Sequence, residues 1–261
     1  AKVPQMWNFN KKLRQMIGEG QRPPRAAVAV LDLGFFLPAS EFDSPVLVSP
    51  LKSGGHGAHV SGIIGARFSF ADEANGGVDG INPFAQLYVA DSTLFDGDSA
   101  PPAPPPVDPA DIRVPLSNVV SEMHALASRL PVQKAAMNLS VGHGWHKKKD
   151  DPATVVVEDY SRDPMTDPVA QAVVISGAYF FQVVRSLNAG LGKDILYCTS
   201  AGNSSNYPDR RTPLGLIDAQ WNSPWNYAAL VLGEPGVIVV EATGDEAGTP
   251  YINGCVNGHI R

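Results

Sequence analysis

AAVAVLDLGF, residues 26–35, opens on an unbroken run of small and branched apolar residues and closes on an acid and a glycine. A run this short and this apolar is what a strand needs when helices cover both faces of a parallel sheet. Asp32 arrives where that strand ends, and open parallel sheets bind their ligands beyond the carboxyl ends of their strands. Read alone, Asp32 with Gly34 close behind could orient a histidine, hold a cation or cap a turn.

On the N-terminal side, Met6, Phe9, Leu13 and Ile17 recur at spacings of three and four, which predicts a short amphipathic helix over residues 6–17. Gly18 and Gly20 end it, and Arg22-Pro23-Pro24 links it to the strand. On the C-terminal side, small and apolar residues predict a tightly packed helix over 57–66 and a strand over 85–90 (AQLYVA). A helix over 112–130 and a strand over 135–141 (AAMNLSV) come next, then a helix over 169–187 and a strand over 195–199 (ILYCT). Residues 230–240 hold two apolar runs broken by Gly-Glu-Pro-Gly. Strands alternating with helices imply crossover connections and a parallel sheet, an α/β class. Residues 98–109 (DSAPPAPPPVDP) form a Pro-rich surface loop, and the charged segment 145–168 reads as an inserted loop within one domain spanning 1–261.

Composition narrows the function. The 261 residues are 44% hydrophobic and 18% charged, which suits a globular core. A net charge of −6 offers no basic stripe for nucleic acid, and His146-Lys147-Lys148-Lys149 runs straight into Asp150-Asp151, as a solvated loop does. No apolar stretch reaches the ~18 residues of a membrane span. No signal peptide is visible, although a chain opening on Ala1 could have lost a leader. Cys198 and Cys255 make no disulfide framework and have no metal spacing; Cys198, inside an apolar run, reads as a small buried hydrophobe.

Two further segments carry chemistry. In GHGAHVSGIIGA, residues 55–66, His56 stands between glycines at the start of a helix, where its ring can project into a cleft. His59, inside the same helix, reads as a buried, hydrogen-bonded core histidine, since no glutamate lies between the two as in a zinc-protease helix. In TSAGNSS, residues 199–205, Asn203 follows a strand, and its amide could serve either as a turn residue or as an oxyanion donor.

Taken in order, these segments resemble the subtilisin-like serine proteases. Asp32-Leu33-Gly34 resembles that family's V-D-x-G aspartate motif. His56-Gly57-Ala58-His59-Val60-Ser61-Gly62 resembles H-G-T-H-V-A-G, and Ser200-Ala201-Gly202-Asn203 resembles A-A-G-N. NGGVDGINPFAQLYVAD (75–91) and AAMNLSVG (135–142) resemble the strand entry and the cleft-lining strand. The resemblance implies a subtilisin-like three-layer fold, with a mostly parallel central sheet and helices on both faces. It implies Asp32 as the orienting carboxylate, His56 as general base and acid, and Asn203 as oxyanion donor. Ser140, Val141 and Gly142 would pair with the substrate backbone, while Ser200, Ala201 and Gly202 would wall the pocket before the scissile bond.

The nucleophile is where the pattern breaks. The family's G-T-S-x-A-x-P motif has no counterpart after Asn203; Gly248-Thr249-Pro250 has the wrong third residue, and Ser204, Ser205 and Ser223 lack the context. The expectation is therefore a serine endopeptidase whose serine lies on a segment after residue 261 or on a second chain, with residues 1–261 inactive alone. The alternative is a catalytically inactive, peptide-binding relative. A nucleotide-binding domain is disfavoured by the lack of G-x-G-x-x-G after the first strand. A peptide or protein is the implied partner, with no nucleic acid or membrane, and no cofactor is required. Some family members hold structural calcium, and Glu41, Asp43, Asn75 and Asp79 could offer oxygens, but at no recognisable loop spacing.

Overall fold

The computed structural model describes residues 3–17, 25–67, 80–92, 109–140, 168–201, 219–221 and 223–240. Helix α1 (Val3–Ile17) is followed by strand β1 (Ala27–Asp32), the short strand β2 (Val46–Leu47), helix α2 (His56–Gly65) and strand β3 (Gln86–Asp91). Then come α3 (Pro109–Arg129), β4 (Lys134–Leu139), α4 (Pro168–Leu191), β5 (Asp194–Ser200), α5 (Pro224–Leu230) and β6 (Val237–Val240). The six strands form one sheet in the order β2-β3-β1-β4-β5-β6, and every pairing is parallel.

Alternation along β1 builds the two faces, because successive side chains leave a strand on opposite sides. Ala27, Ala29 and Leu31 join one core with α3 (Met123, Leu126), α4 (Phe180, Val184) and α5 (Trp225). Phe180 and Trp225 meet there with ring centroids 5.1 Å apart, a tilted pair. Val28 and Val30 join the other core with Leu87, Val89 and, from α2, Val60 and Ile64. The result is the expected three-layer α/β arrangement, with helices on both faces of a parallel sheet.

Several expectations need correction. The helix drawn from 112 begins at Pro109, and the one drawn from 169 begins at Pro168, since proline is favoured in a helix's first turn. The rest of the Pro-rich and charged loops, with Lys147 and its neighbours, lies outside the described residues. The first apolar run of 230–240, left without an element above, is a helix end and a turn. Leu230 ends α5, a helix the periodicity did not reveal, whose N-cap Ser223 accepts from the Asn226 N–H and whose first turn holds Pro224. The chain then turns through Gly233 (φ 70°) into β6. Helix α1 forms as expected, yet Phe9 and Met16 on it are exposed, and its anchor is Trp7, whose Nε1–H donates to Ile81 O at 3.0 Å. Among the described residues, no helix is long and apolar enough to cross a membrane.

Candidate active site

The C-terminal edge of the sheet brings distant residues into one row. Asp32 and Asp91 are register partners at the ends of β1 and β3. Asn138 pairs with Cys198, Cys198 with Ile238, and Ser200 with Val240. Carrying the β1–β4 and β4–β5 registers forward places Ser140 between Asp32 and Ser200, on the same side as Val30. That side also carries α2.

Asp32 is fully buried. Its Oδ1 accepts the Leu33 N–H at 2.6 Å and lies 2.5 Å from His56 Nδ1, while its Oδ2 is buried with no partner. The His56 side chain is 56% exposed against 0% for Asp32, so one edge of the ring rests on a buried acid and the other meets solvent. With Nδ1–H donating to the carboxylate, the neutral ring carries its lone pair on Nε2. The hydrogen bond to Asp32 raises the His56 pKa above the usual histidine value; partial burial opposes this and the Asp32 charge adds to it.

Local sequence explains how the two loops meet. Helix α2 has Gly55 at its N-cap, which offers no side-chain acceptor, so its first N–H groups need other partners. They find them in the Asp32 loop: Gly57 N–H donates to Leu33 O at 2.7 Å and Ala58 N–H to Gly34 O at 3.2 Å. Gly34, at φ 62°, lies directly against Gly54, where a Cβ on either would come within 2.6 Å of the other's Cα. A Cβ on Gly57 would strike the Phe35 ring at 2.7 Å, whereas Gly55 faces open space. Of the two glycines flanking His56, only Gly57 is held by packing.

Ser140 and Ser200 are half-buried, and Ala201 is buried with its N–H donating to Val240 O at 2.8 Å. The Ser140 hydroxyl hydrogen-bonds the Asn138 side-chain amide. Val141, Gly142, Gly202 and Asn203 lie outside the described residues, as do Ser204 and Ser205. His59 is exposed, not a core residue, because the buried positions on its helix are Gly57, Ser61, Gly62 and Gly65. Cys198 is a free thiol and only half-buried, since its side of β5 is the thinly covered one.

Asp43, weighed above as an oxygen donor for calcium, is ion-paired through one oxygen with Arg25 and through the other with Arg67. Two guanidiniums on one carboxylate disfavour a cation there. Glu41 is exposed, and Asn75 and Asp79 lie outside the described residues. Among the described residues, no group of three or more metal-ligating side chains gathers.

Two buried groups were not foreseen from the sequence. Asn226 is fully buried, and its Nδ2 donates to Ser200 O at 3.0 Å and to Ala219 O at 2.9 Å, tying the end of β5 to α5. The Ser-Pro start of α5 was the signal that could have found it. Asp91 is 3% exposed beside Asp32, and its place at the end of AQLYVAD was a signal of the same kind as that of Asp32.

No family model and no curated protein matches the chain. Solved structures are similar in outline. MycP1 from Mycobacterium smegmatis aligns at 17% identity and TM-score 0.41, over 92% of this chain and 56% of that one. MycP1 from the ESX-1 type VII secretion system aligns at 16% identity and TM-score 0.44, over 98% and 60%. The periplasmic assembly from the ESX-5 inner membrane complex aligns at 16% and TM-score 0.45, over 97% and 59%. The chain thus spans less than two thirds of the structures it resembles, and at these values the likeness assigns no activity.

Proposed function

We propose that this chain supplies the general base, its orienting carboxylate and the oxyanion donor of a subtilisin-type serine endopeptidase. The observation that carries the proposal is the 2.5 Å contact between His56 Nδ1 and buried Asp32 at the carboxyl edge of a parallel sheet. The ordered motifs around Asp32, His56 and Asn203 support it.

In this reading His56 Nε2 takes the proton from a serine hydroxyl as its oxygen attacks the peptide carbonyl carbon. Asp32 holds the ring and stabilises the imidazolium. The Asn203 amide donates to the oxyanion, a contact whose loss costs subtilisin itself about 2.7–4 kcal/mol. His56 then returns the proton to the leaving amine, and water releases the acyl group by the reverse sequence. The substrate backbone adds to the sheet along Ser140, Val141 and Gly142, and Ser200, Ala201 and Gly202 wall the pocket of the residue before the scissile bond.

In this reading the serine lies on a segment after residue 261 or on a second chain, and exposed apolar side chains on the sheet would suit such a segment. On the side that α2 covers over β1 and β3, Leu196 is 38%, Ile238 45% and Val240 55% exposed. Fully burying a side chain of that size is worth ~1.5–3 kcal/mol, so a helix carrying the nucleophile would be held there. Fluorophosphonate labelling of the full gene product, abolished by His56→Ala, is the expected result. An intact, folded product that takes no label would sink the proposal.

The lack of a G-T-S-x-A-x-P motif favours a second reading, a peptide-binding domain that does not cleave. Saturable peptide binding by the full product without any turnover would select it.

A further inference from the structure

Asp91 has no part in the chemistry above, yet it is a buried carboxylate beside the carboxylate that holds His56. Leu87 and Val89 of β3 face the α2 side, so Asp91, two residues further, turns the same way. Its Oδ2 accepts the Lys52 N–H at 2.7 Å, and its Oδ1 is buried with no partner. Its own N–H donates to Ser49 Oγ at 2.9 Å.

Those contacts fall on the segment that delivers His56. After β2, Val48 N–H donates to Val89 O at 2.9 Å, and the chain then crosses the ends of β3 and β1. Lys52 sits midway. Its N–H is held by Asp91, and its O accepts the Phe35 N–H at 2.9 Å from the Asp32 loop. Two residues later Gly54 lies on Gly34, and two after that comes His56.

We infer that Asp91 is a positioning residue for the His56–Asp32 pair, acting as a clamp on Lys52 that sets the height of the loop entering α2. Asp32 orients the imidazole from below; Asp91 fixes the backbone from which the imidazole hangs. The clamp needs an acceptor oxygen at the place of the Asp91 Oδ2, 2.7 Å from the Lys52 nitrogen, and does not depend on the charge behind that oxygen. The inference rests on reading Asp32 and His56 as orienter and base.

Titration of His56 in the 261-residue chain by NMR of its imidazole tests it without requiring turnover. The charged or titratable groups on the surrounding elements are Asp32 on β1, Asp91 on β3, Lys52 in the entering loop and His59 one turn along α2. Asp91→Asn keeps an acceptor oxygen in place and removes the charge; Asp91→Glu keeps the charge and displaces the oxygen. A clamp predicts that Asp91→Asn leaves the His56 midpoint where it is. Asp91→Glu and Asp91→Ala lower it by about one unit, a tenfold change in the protonation equilibrium.

A purely electrostatic role predicts the reverse for the first pair, a lowered midpoint in Asp91→Asn and none in Asp91→Glu, and that result would overturn the inference. Folded variants that all titrate like the wild type would overturn it too. Should Asp91→Ala not fold, the Asn and Glu variants decide alone. Asp32→Asn serves as the control. If it leaves His56 unmoved, the orienter–base reading itself fails, a result distinct from failure of the clamp.

Discussion

Gly34 and Gly54 touch backbone to backbone: a Cβ added to Gly34 would stand 2.5 Å from the Gly54 Cα, and Gly34 itself has φ 62°. This contact is where the loop after Asp32 meets the loop before His56. Gly54→Ala must push the two loops apart, and overpacking of this kind costs about 1–3 kcal/mol. Gly34→Ala adds the left-handed penalty of roughly 1–2 kcal/mol. Urea denaturation followed by tryptophan fluorescence should show both variants destabilised, with Gly34→Ala the worse.

His56 carries a pH dependence of definite sign. Under the proposed role of general base it must be neutral, so labelling of the full product should rise with pH through the raised His56 pKa and level off above it. Asp32→Asn should move that rise to lower pH and reduce its plateau. For stability the direction is opposite. Because the folded pKa is the higher one, the His56–Asp32 pair adds stability below the unfolded histidine value, and this is lost as pH climbs through the folded value. Chemical denaturation at two pH values on either side, in wild type and His56→Ala, measures it.

Asn226 gives a test of the proposed pocket wall at Ser200. Asn226→Ala would take the donor from the carbonyls of Ser200 and Ala219, at about 1–3 kcal/mol for the buried Ala219 acceptor and less for the part-buried Ser200 one. Calorimetry should record the loss. With the full product, peptide cleavage should show a raised KM, since the end of β5 loses its tether.

Lys193 closes the last turn of α3 from a distance. Its Nζ donates to Ala127 O at 2.5 Å, which also accepts the Leu130 N–H, and to Leu130 O at 2.6 Å, just past the end of the helix. Lys193→Met keeps most of the stem and removes the charge-assisted bonds, which are worth about 1.5–3 kcal/mol each at most. A lowered Tm with unchanged labelling of the full product is the expected pair of results.

The thinly covered face of β5 and β6 should bind a hydrophobic dye in the 261-residue chain, and Ile238→Asp should weaken that signal. If the proposed serine-bearing segment packs there, the same substitution in the full product should diminish labelling. Unchanged labelling there would place that segment elsewhere.

The strands were legible in the sequence where both faces are covered, because AVAVL and LYVA are continuous apolar runs, with the polar Gln86 only at the entry of the second. Asp32 and His56 were legible because a polar residue at a strand end, and a histidine between glycines, each break a pattern. Helix α5 was not, since its seven residues offer too little periodicity for a 3.6-residue repeat to show, and its start is written in Ser223 and Pro224 instead. His59 misled because a histidine inside a helix, with no glutamate between it and His56, reads as a core residue, while the helix turns it outward. Asn226 and Asp91 act through main-chain atoms of other segments, a kind of contact that leaves no spacing rule behind.

The strand order β2-β3-β1-β4-β5-β6 has a consequence for how the chain is born. Strand β1 is made first of the six but sits in the interior of the sheet, and its neighbours, β3 and β4, begin only at Gln86 and Lys134. At ~5–20 residues per second of synthesis, an apolar, unpaired strand waits several seconds on the ribosome for its first neighbour of any length. Rescue by a chaperone that grips extended apolar segments would act on residues 26–31 before any other strand of the sheet, so the strand that ends in Asp32 is also the sheet's first exposure to aggregation.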